Sequence, residues 1–376
     1  MKIGIIALSL NKNAKPGYYN SQELGMGKAL AAQGHSVTVY KLVEKAKLPA
    51  PTTEKITPSL LYTNLPAFSL GMNGFFKKSH ILPDMDVLIC FCDTQLYTRS
   101  VAAWCRHRGI RMIPYIGVIE STSVSSSKRR IRNLLLKPLL RFYQNQTVVW
   151  GKTPAVCTKL NQLGIRHTSL VPVGLDTELL NADYINVSKE ELREKWGYRS
   201  SEKVLLFIGR LTAEKEPLEM LKIFERLYDQ DNSYRLCMVG KGELKEAVDA
   251  YIERNDLAVA VKLIPTLPND RMWELYRISH CFINLNRHEI YGMAILEALY
   301  YECPVIAFHA PGPDFILSSV QAPSLYLTDS EDALLQTVRL FNKVEFLVQT
   351  ERIHQAVLEM FIWERIMEEQ LPLFES

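Results

Sequence analysis

The chain has 376 residues, 47% of them hydrophobic, and a formal net charge of +3. That length exceeds one ordinary core and predicts two globular domains, while so mild a charge argues against a dedicated nucleic-acid binder, so no nucleic-acid partner is expected. Seven cysteines scattered mostly inside apolar runs lack the paired spacing of zinc sites or disulfide frameworks and read as reduced core thiols in a cytoplasmic protein; no apolar run approaches the ~18 residues that a membrane-spanning helix needs.

The opening MKIGIIALSL has the outline of a short signal-peptide core, but a turn, a helix and another strand follow it in order, so it reads as a buried first strand. After it come the loop NKNAKPGYYNS, helical QELGMGKALAAQGH ending at Gly34, and the strand SVTVYKL, a β-loop-α-β unit. Strand-like runs follow at 86–92 (DVLICFC) and 111–119 (RMIPYIGVI), with helical VAAWCRHRG between them. Such alternation predicts a parallel sheet covered by helices. In LVPVGLDTELL, Pro172, Gly174 and Asp176 punctuate the chain, and the domain junction is placed after residue 174.

A second alternating series begins at VLLFIGRL and continues through PLEMLKIFERLYDQ, RLCMVG, ELKEAVDAYIERN, VKLIP, DRMWELYRIS, CFINL, GMAILEALYY and PVIAF. The predicted organisation is an α/β domain over 1–174, a second over 175–355, and a C-terminal helix within 356–376 that can cross back to the first. Two such halves would hold a substrate where their strand ends meet.

Four pieces of the second half stand in a telling order: FIGRLTAEKEP at 207–217, MVGKGEL at 238–244, RMWELYRISHCFINL at 271–285 and HEIYGMAILEALYYECPV at 288–305. Together they resemble the family 4 glycosyltransferases of the GT-B fold, over about Val171 to Phe308, with a weaker match at the first βαβ unit and the helix containing Trp363. The resemblance implies two Rossmann-like, doubly wound parallel-sheet domains facing across a cleft. The first would take the acceptor and the second the nucleotide sugar.

Gly292 falls where a loop turns into the helix beginning near Met293, so the amides there, including those of Met293 and Ala294, favour an anion such as a donor diphosphate. Glu289 precedes the turn and Glu297 lies about one turn inside the helix, on two sides of that position. The resemblance assigns donor-sugar hydroxyls to Glu289, ribose hydroxyls to Glu297, and a diphosphate clamp to Arg210 and Lys215, both beyond a strand's C-terminal end. It also brings the backbone of Gly17 close to the donor. The two cations would do the work that a metal does elsewhere, so no metal or other cofactor is expected; the donor would be a nucleotide diphosphate sugar such as a UDP-sugar or GDP-sugar. Lys241, between two glycines, reads as a turn lysine that adds to the positive field.

The sequence departs from the family in three places. IPYIGVIESTSVSSS has no histidine where many relatives carry one near the transferred sugar, leaving Glu120, Ser121 and Thr122 as the polar groups there. Glu302 replaces a frequent glycine, and APGPDFI replaces a Gly-Gly turn; both are expected to alter a phosphate-facing or sugar-facing loop, where His309 also lies. From Lys128, KRRIRNLLLKPLLRFY spaces Ile131, Leu135, Leu139 and Phe142 at helical intervals, apart from its cations. Such a stretch, 128–142, suits peripheral contact with an anionic membrane surface or packs on its own sheet. The expectation is a retaining, metal-independent hexosyltransferase that acts on a saccharide or lipid-linked acceptor in cell-surface glycan or exopolysaccharide assembly, cytoplasmic, at the inner face of the membrane. The alternative is a catalytically silent GT-B partner subunit that scaffolds an active enzyme.

Overall fold

The computed structural model describes residues 1–10, 21–71, 73–119, 136–322, 327–340 and 347–375. Gly17, Glu120, Ser121, Thr122 and the 128–135 part of the basic stretch lie outside the described residues. Two compact units share the chain: one runs to Gly174 and resumes at Trp363, the other spans Leu175–Ile362.

In the first unit the strands are β1 (Lys2–Ala7), β2 (Ser36–Glu44), β3 (Thr52–Thr57), β4 (Leu60–Leu70), β5 (Asn73–Phe76), β6 (Val87–Phe91), β7 (Arg111–Ile116), β8 (Val149–Gly151) and β9 (Thr168–Leu170); α1 (Gln22–Ala32), α2 (Thr98–His107), α3 (136–144) and α4 (Pro154–Gln162) are its helices. Their sheet has the order β3-β4-β2-β1-β6-β7-β8-β9, with β5 on β4. All pairs are parallel except those of β3 and β5 with β4. VLICF of β6 is buried throughout, as a strand covered on both faces requires. Ser21 starts α1 by accepting the Leu24 N–H on its hydroxyl. Beyond the elements that sequence predicts, the unit has β3, β4 and β5 over residues 52–76, and β8, α4 and β9 over 149–170.

The chain's closing helix, Trp363–Glu375, packs on α1 of this unit, with Trp363 buried and the Gln33 side chain donating to the Glu364 carbonyl at 3.3 Å. The change of unit falls between Ile362 and Trp363, so 356–362 belongs with the second unit instead of the closing helix.

The second unit holds β10 (Lys203–Ile208), β11 (Tyr234–Val239), β12 (Val261–Ile264), β13 (Cys281–Asn284), β14 (Val305–Phe308) and β15 (Leu327–Thr328), with α5 (Lys189–Trp196), α6 (Pro217–Tyr228), α7 (Lys245–Arg254), α8 (Asn269–Ile278), α9 (Met293–Tyr300), α10 (Pro311–Ser319), α11 (Glu331–Leu340) and α12 (Leu347–Met360). The sheet is parallel in the order β12-β11-β10-β13-β14-β15. From β10 the chain winds outward to β12, then returns to lay β13 on the other side of β10. The carboxyl ends of β10 and β13 therefore flank a topological switch point, where ligands bind in open α/β sheets. Among the described residues no helix is long and apolar enough to cross a membrane.

Candidate functional site

Two loops meet at that switch point. The first leaves β10 at Gly209, makes a short turn over Ala213–Lys215, and enters α6 through Glu216, which is held in the left-handed region at φ 55°. Pro217 then opens the helix, where its missing N–H leaves no bond unmade. A neighbouring loop after β11 braces this one, because the Leu211 N–H donates to the Lys241 carbonyl and the Leu244 N–H to the Leu211 carbonyl. Gly240 has no room for a side chain, since a Cβ there would lie 1.8 Å from the Gly209 carbonyl oxygen. Two of the four sequence pieces thus interlock through their backbones, and Lys241 itself faces solvent.

The second loop follows β13 and is organised by Asn286, which is 1% exposed. Its side-chain oxygen accepts the His288 N–H at 2.9 Å, and its amide nitrogen donates to Glu289 Oε2 at 3.2 Å. The same carboxylate oxygen receives Lys215 Nζ at 2.5 Å, so a cation from the β10 loop and an acid from the β13 loop join across the switch point. Both side chains are about one-fifth exposed, which shelters the pair from solvent screening.

Three residues beyond Glu289, Gly292 opens α9 with φ 100°, a conformation that favours glycine. The first helical amide with a carbonyl behind it is that of Ile295, which donates to Gly292; the N–H groups of half-buried Met293 and Ala294 precede it at the positive end of the helix. APGPDFI supports the loop from behind. The Gly312 N–H donates to the Glu289 carbonyl at 2.9 Å, and a Cβ on Gly312 would lie 2.0 Å from the Tyr291 carbonyl oxygen.

Glu297 accepts the Tyr276 hydroxyl at 3.1 Å from the adjacent α8. Tyr276 is stacked on Tyr301 and set edge-on to Phe282. Burial, and then the charge of Glu297, push its phenol far above the usual range, so it stays a protonated donor. Arg210 stands apart from this group: it is 67% exposed and pairs with Glu214 at 3.4 Å.

Glu302 does not face the phosphate position. It follows the C-terminal end of α9, roughly 12 Å of helix from Gly292 at ~1.5 Å per residue, and pairs with Arg277 of α8 at 3.1 Å. His309 and Asp314 form a half-exposed pair at 2.7 Å. Sequence reasoning missed Asn286 and Tyr276. A polar residue just past a buried strand was the available signal for Asn286, whereas Tyr276 lies within an apolar helical stripe and reads as core.

At the corresponding edge of the first unit, Asp93 accepts the N–H groups of Gly117 and Val118 at 2.6 and 3.1 Å, which fixes the start of the segment that lacks histidine. Lys152 Nζ meets the Gln22 side-chain oxygen at 3.1 Å and lies over the rings of Phe91 and Tyr115.

Comparison with known proteins matches residues 188–345 to the family described as glycosyl transferases group 1. An uncharacterized glycosyltransferase of Methanocaldococcus jannaschii is 21% identical, over 93% of this chain and 92% of its own length. Alpha-monoglucosyldiacylglycerol synthase of Acholeplasma laidlawii is 23% identical over 37% of this chain, a match that spans only 35% of that protein. Among solved structures, an Anabaena protein crystallised in complex with UDP-glucose superposes with a TM-score of 0.72 at 16% identity, covering 100% of both chains.

Proposed function

Starting from a chain that has the GT-B fold and carries a glycosyl transferases group 1 domain over 188–345, we propose that it is a retaining glycosyltransferase. It moves a hexosyl group from a nucleotide diphosphate sugar, a UDP-sugar or GDP-sugar, to a saccharide or lipid-linked acceptor in cell-surface glycan or exopolysaccharide assembly. The observation that carries this reading is the Lys215–Glu289 pair at the β10/β13 switch point, in front of the N-terminus of α9. The names of the glucolipid synthase and of the UDP-glucose complex support the donor and acceptor classes.

In this reading the amides of Gly292, Met293 and Ala294 receive the diphosphate, Lys215 and Arg210 neutralise it, Glu289 holds hydroxyls of the transferred sugar, and Glu297 holds the ribose. The acceptor oxygen forms its bond to the anomeric carbon on the face from which the diphosphate departs. As that carbon–oxygen bond breaks, the acceptor's proton passes to the leaving phosphate oxygen. The two cations do the charge neutralisation that a metal does elsewhere, making the reaction metal-independent. Gly17 and Glu120 keep the roles of a close donor contact and a polar stand-in for histidine. The protein works at the cytoplasmic face of a membrane.

Incubation with a panel of nucleotide sugars, followed by mass analysis, tests the proposal: one donor should release UDP or GDP, slowly even without acceptor. The segment without histidine favours a second reading, a silent GT-B partner subunit. Donor binding with no turnover, on saccharide and lipid acceptors alike, would select it.

A further inference from the structure

The β4–β5 hairpin of the first unit carries a face that the proposed reaction does not use. Register sets Phe68 opposite Phe75 and Leu70 opposite Asn73, and the two-residue period of a strand puts all four on one side. Phe68 and Leu70 are 63% and 65% exposed. Asn73 accepts the Leu96 N–H at 2.9 Å on its side-chain oxygen, which brings exposed Leu96 alongside. The opposite side of the hairpin is the packed one: Ala67 and Phe76 are buried, and a Cβ on Gly74 would lie 2.3 Å from the Leu42 side chain. Among the described residues, the apolar side therefore has no core of its own unit to enter.

Cations border this face. Lys45 Nζ sits 4.9 Å from the centroid of Phe68, and Lys78 Nζ lies 5.7 Å from that of Tyr97, whose ring is 5.3 Å from Phe75. Lys77, exposed and still in extended backbone two residues past Phe75, falls on the same side. Between residues 44 and 84 the sequence has five lysines and three acids, Glu44, Glu54 and Asp84, so lysines are in excess along this stretch.

We propose that this face docks the protein on an anionic lipid bilayer, with Phe68, Leu70 and Leu96 entering the interface and Lys45 and Lys77 meeting lipid phosphates. Large apolar tips bordered by lysines whose stems lie along rings match a surface that is apolar within and anionic at its rim. So small an apolar area holds weakly alone, and the lysines supply the second attraction that reversible attachment needs. The proposal rests on the membrane placement proposed above, and because attachment is read without turnover, its failure leaves the transferase reading standing.

The test is co-sedimentation of the full chain with phosphatidylcholine vesicles and with vesicles half phosphatidylglycerol, at low and high salt. Wild-type protein should sediment with the anionic vesicles only, and salt should release it. Phe68→Ser with Leu70→Ser, and separately Lys45→Gln with Lys77→Gln, should each weaken attachment by roughly tenfold, with thermal midpoints and donor hydrolysis unchanged. Leu96→Ser gives a third reading should either pair fold poorly. Wild-type protein left in the supernatant at low salt, as a protein partner for this face would leave it, overturns the proposal. So do variants that sediment like wild type, which would move any attachment to another surface such as 128–142.

Discussion

Lys215 Nζ lies 2.5 Å from Glu289 Oε2, an ion pair that ties together loops leaving two adjacent parallel strands. Each partner positions the other, and removing either leaves a sheltered charge without its counter-charge. Lys215→Met should lower kcat/KM by about 10²–10³-fold, the scale of losing one preorganised group aimed at developing charge. Glu289→Gln should act chiefly on kcat. Nucleotide-release kinetics on the donor found by screening would measure both, and a Lys215→Met enzyme with near wild-type kcat/KM would contradict the placement.

If Glu297 holds the ribose as proposed, Tyr276 acts on the donor through it. Tyr276→Phe deletes one hydrogen bond to a carboxylate, worth about 1.5–3 kcal/mol, and frees Glu297 to leave the orientation seen here. UDP or GDP affinity by calorimetry should fall by about tenfold or more, with kcat little changed. Glu297→Gln should weaken binding in the same way. Unchanged affinity with reduced kcat would show that Tyr276 positions something other than the nucleotide site.

At Glu302 two effects oppose each other. Its backbone sits at φ 56°, which costs a side-chain-bearing residue about 1–2 kcal/mol, while its carboxylate holds Arg277 at 3.1 Å with both groups 23% exposed. Glu302→Gly relieves the first and loses the second, so urea midpoints should stay close to wild type. Glu302→Ala loses the pair and keeps the strain, so it should be less stable than the glycine variant by about 1 kcal/mol. An alanine variant as stable as the glycine one would refute this account.

Gly312→Ala drives a methyl group into the Tyr291 carbonyl, and the Gly312 N–H also anchors Glu289. The loop bearing Glu289 must shift to make room. Turnover should fall by at least about tenfold, since small misplacements at a reacting centre are costly, while nucleotide affinity, which the proposed reading assigns largely to Glu297 farther along α9, falls less. Parallel loss of both would place the damage in the fold at large.

The sequence makes β1, β2, β6, β7 and β10 to β14 legible, because runs such as VLICF and VLLFI are continuously apolar and alternate with helical stripes, whereas β8, β9 and β15 are only two or three residues long. The β3–β5 addition is not legible for local reasons. TTEKIT of β3 is exposed at every position and shows no apolar alternation, and Pro66 interrupts β4, where proline argues against a strand. Within the site, the motif residues could be named from the resemblance, but their mutual contacts could not. Lys215 and Glu289 were assigned to different parts of a donor, and only strand order shows that they meet. Glu302 was misplaced because reading along the sequence put it near the loop, whereas the helix carries it to the far end.

The closing helix sets an order of events during synthesis. Translation delivers the first unit's strands before those of the second, yet Trp363 and the helix that seals α1 emerge only after the whole of 175–362 has been made. Domains fold as units as the ribosome supplies them. The portion begun first is therefore finished last, and a nascent chain must shield the uncovered side of α1 while its downstream neighbour is still being built.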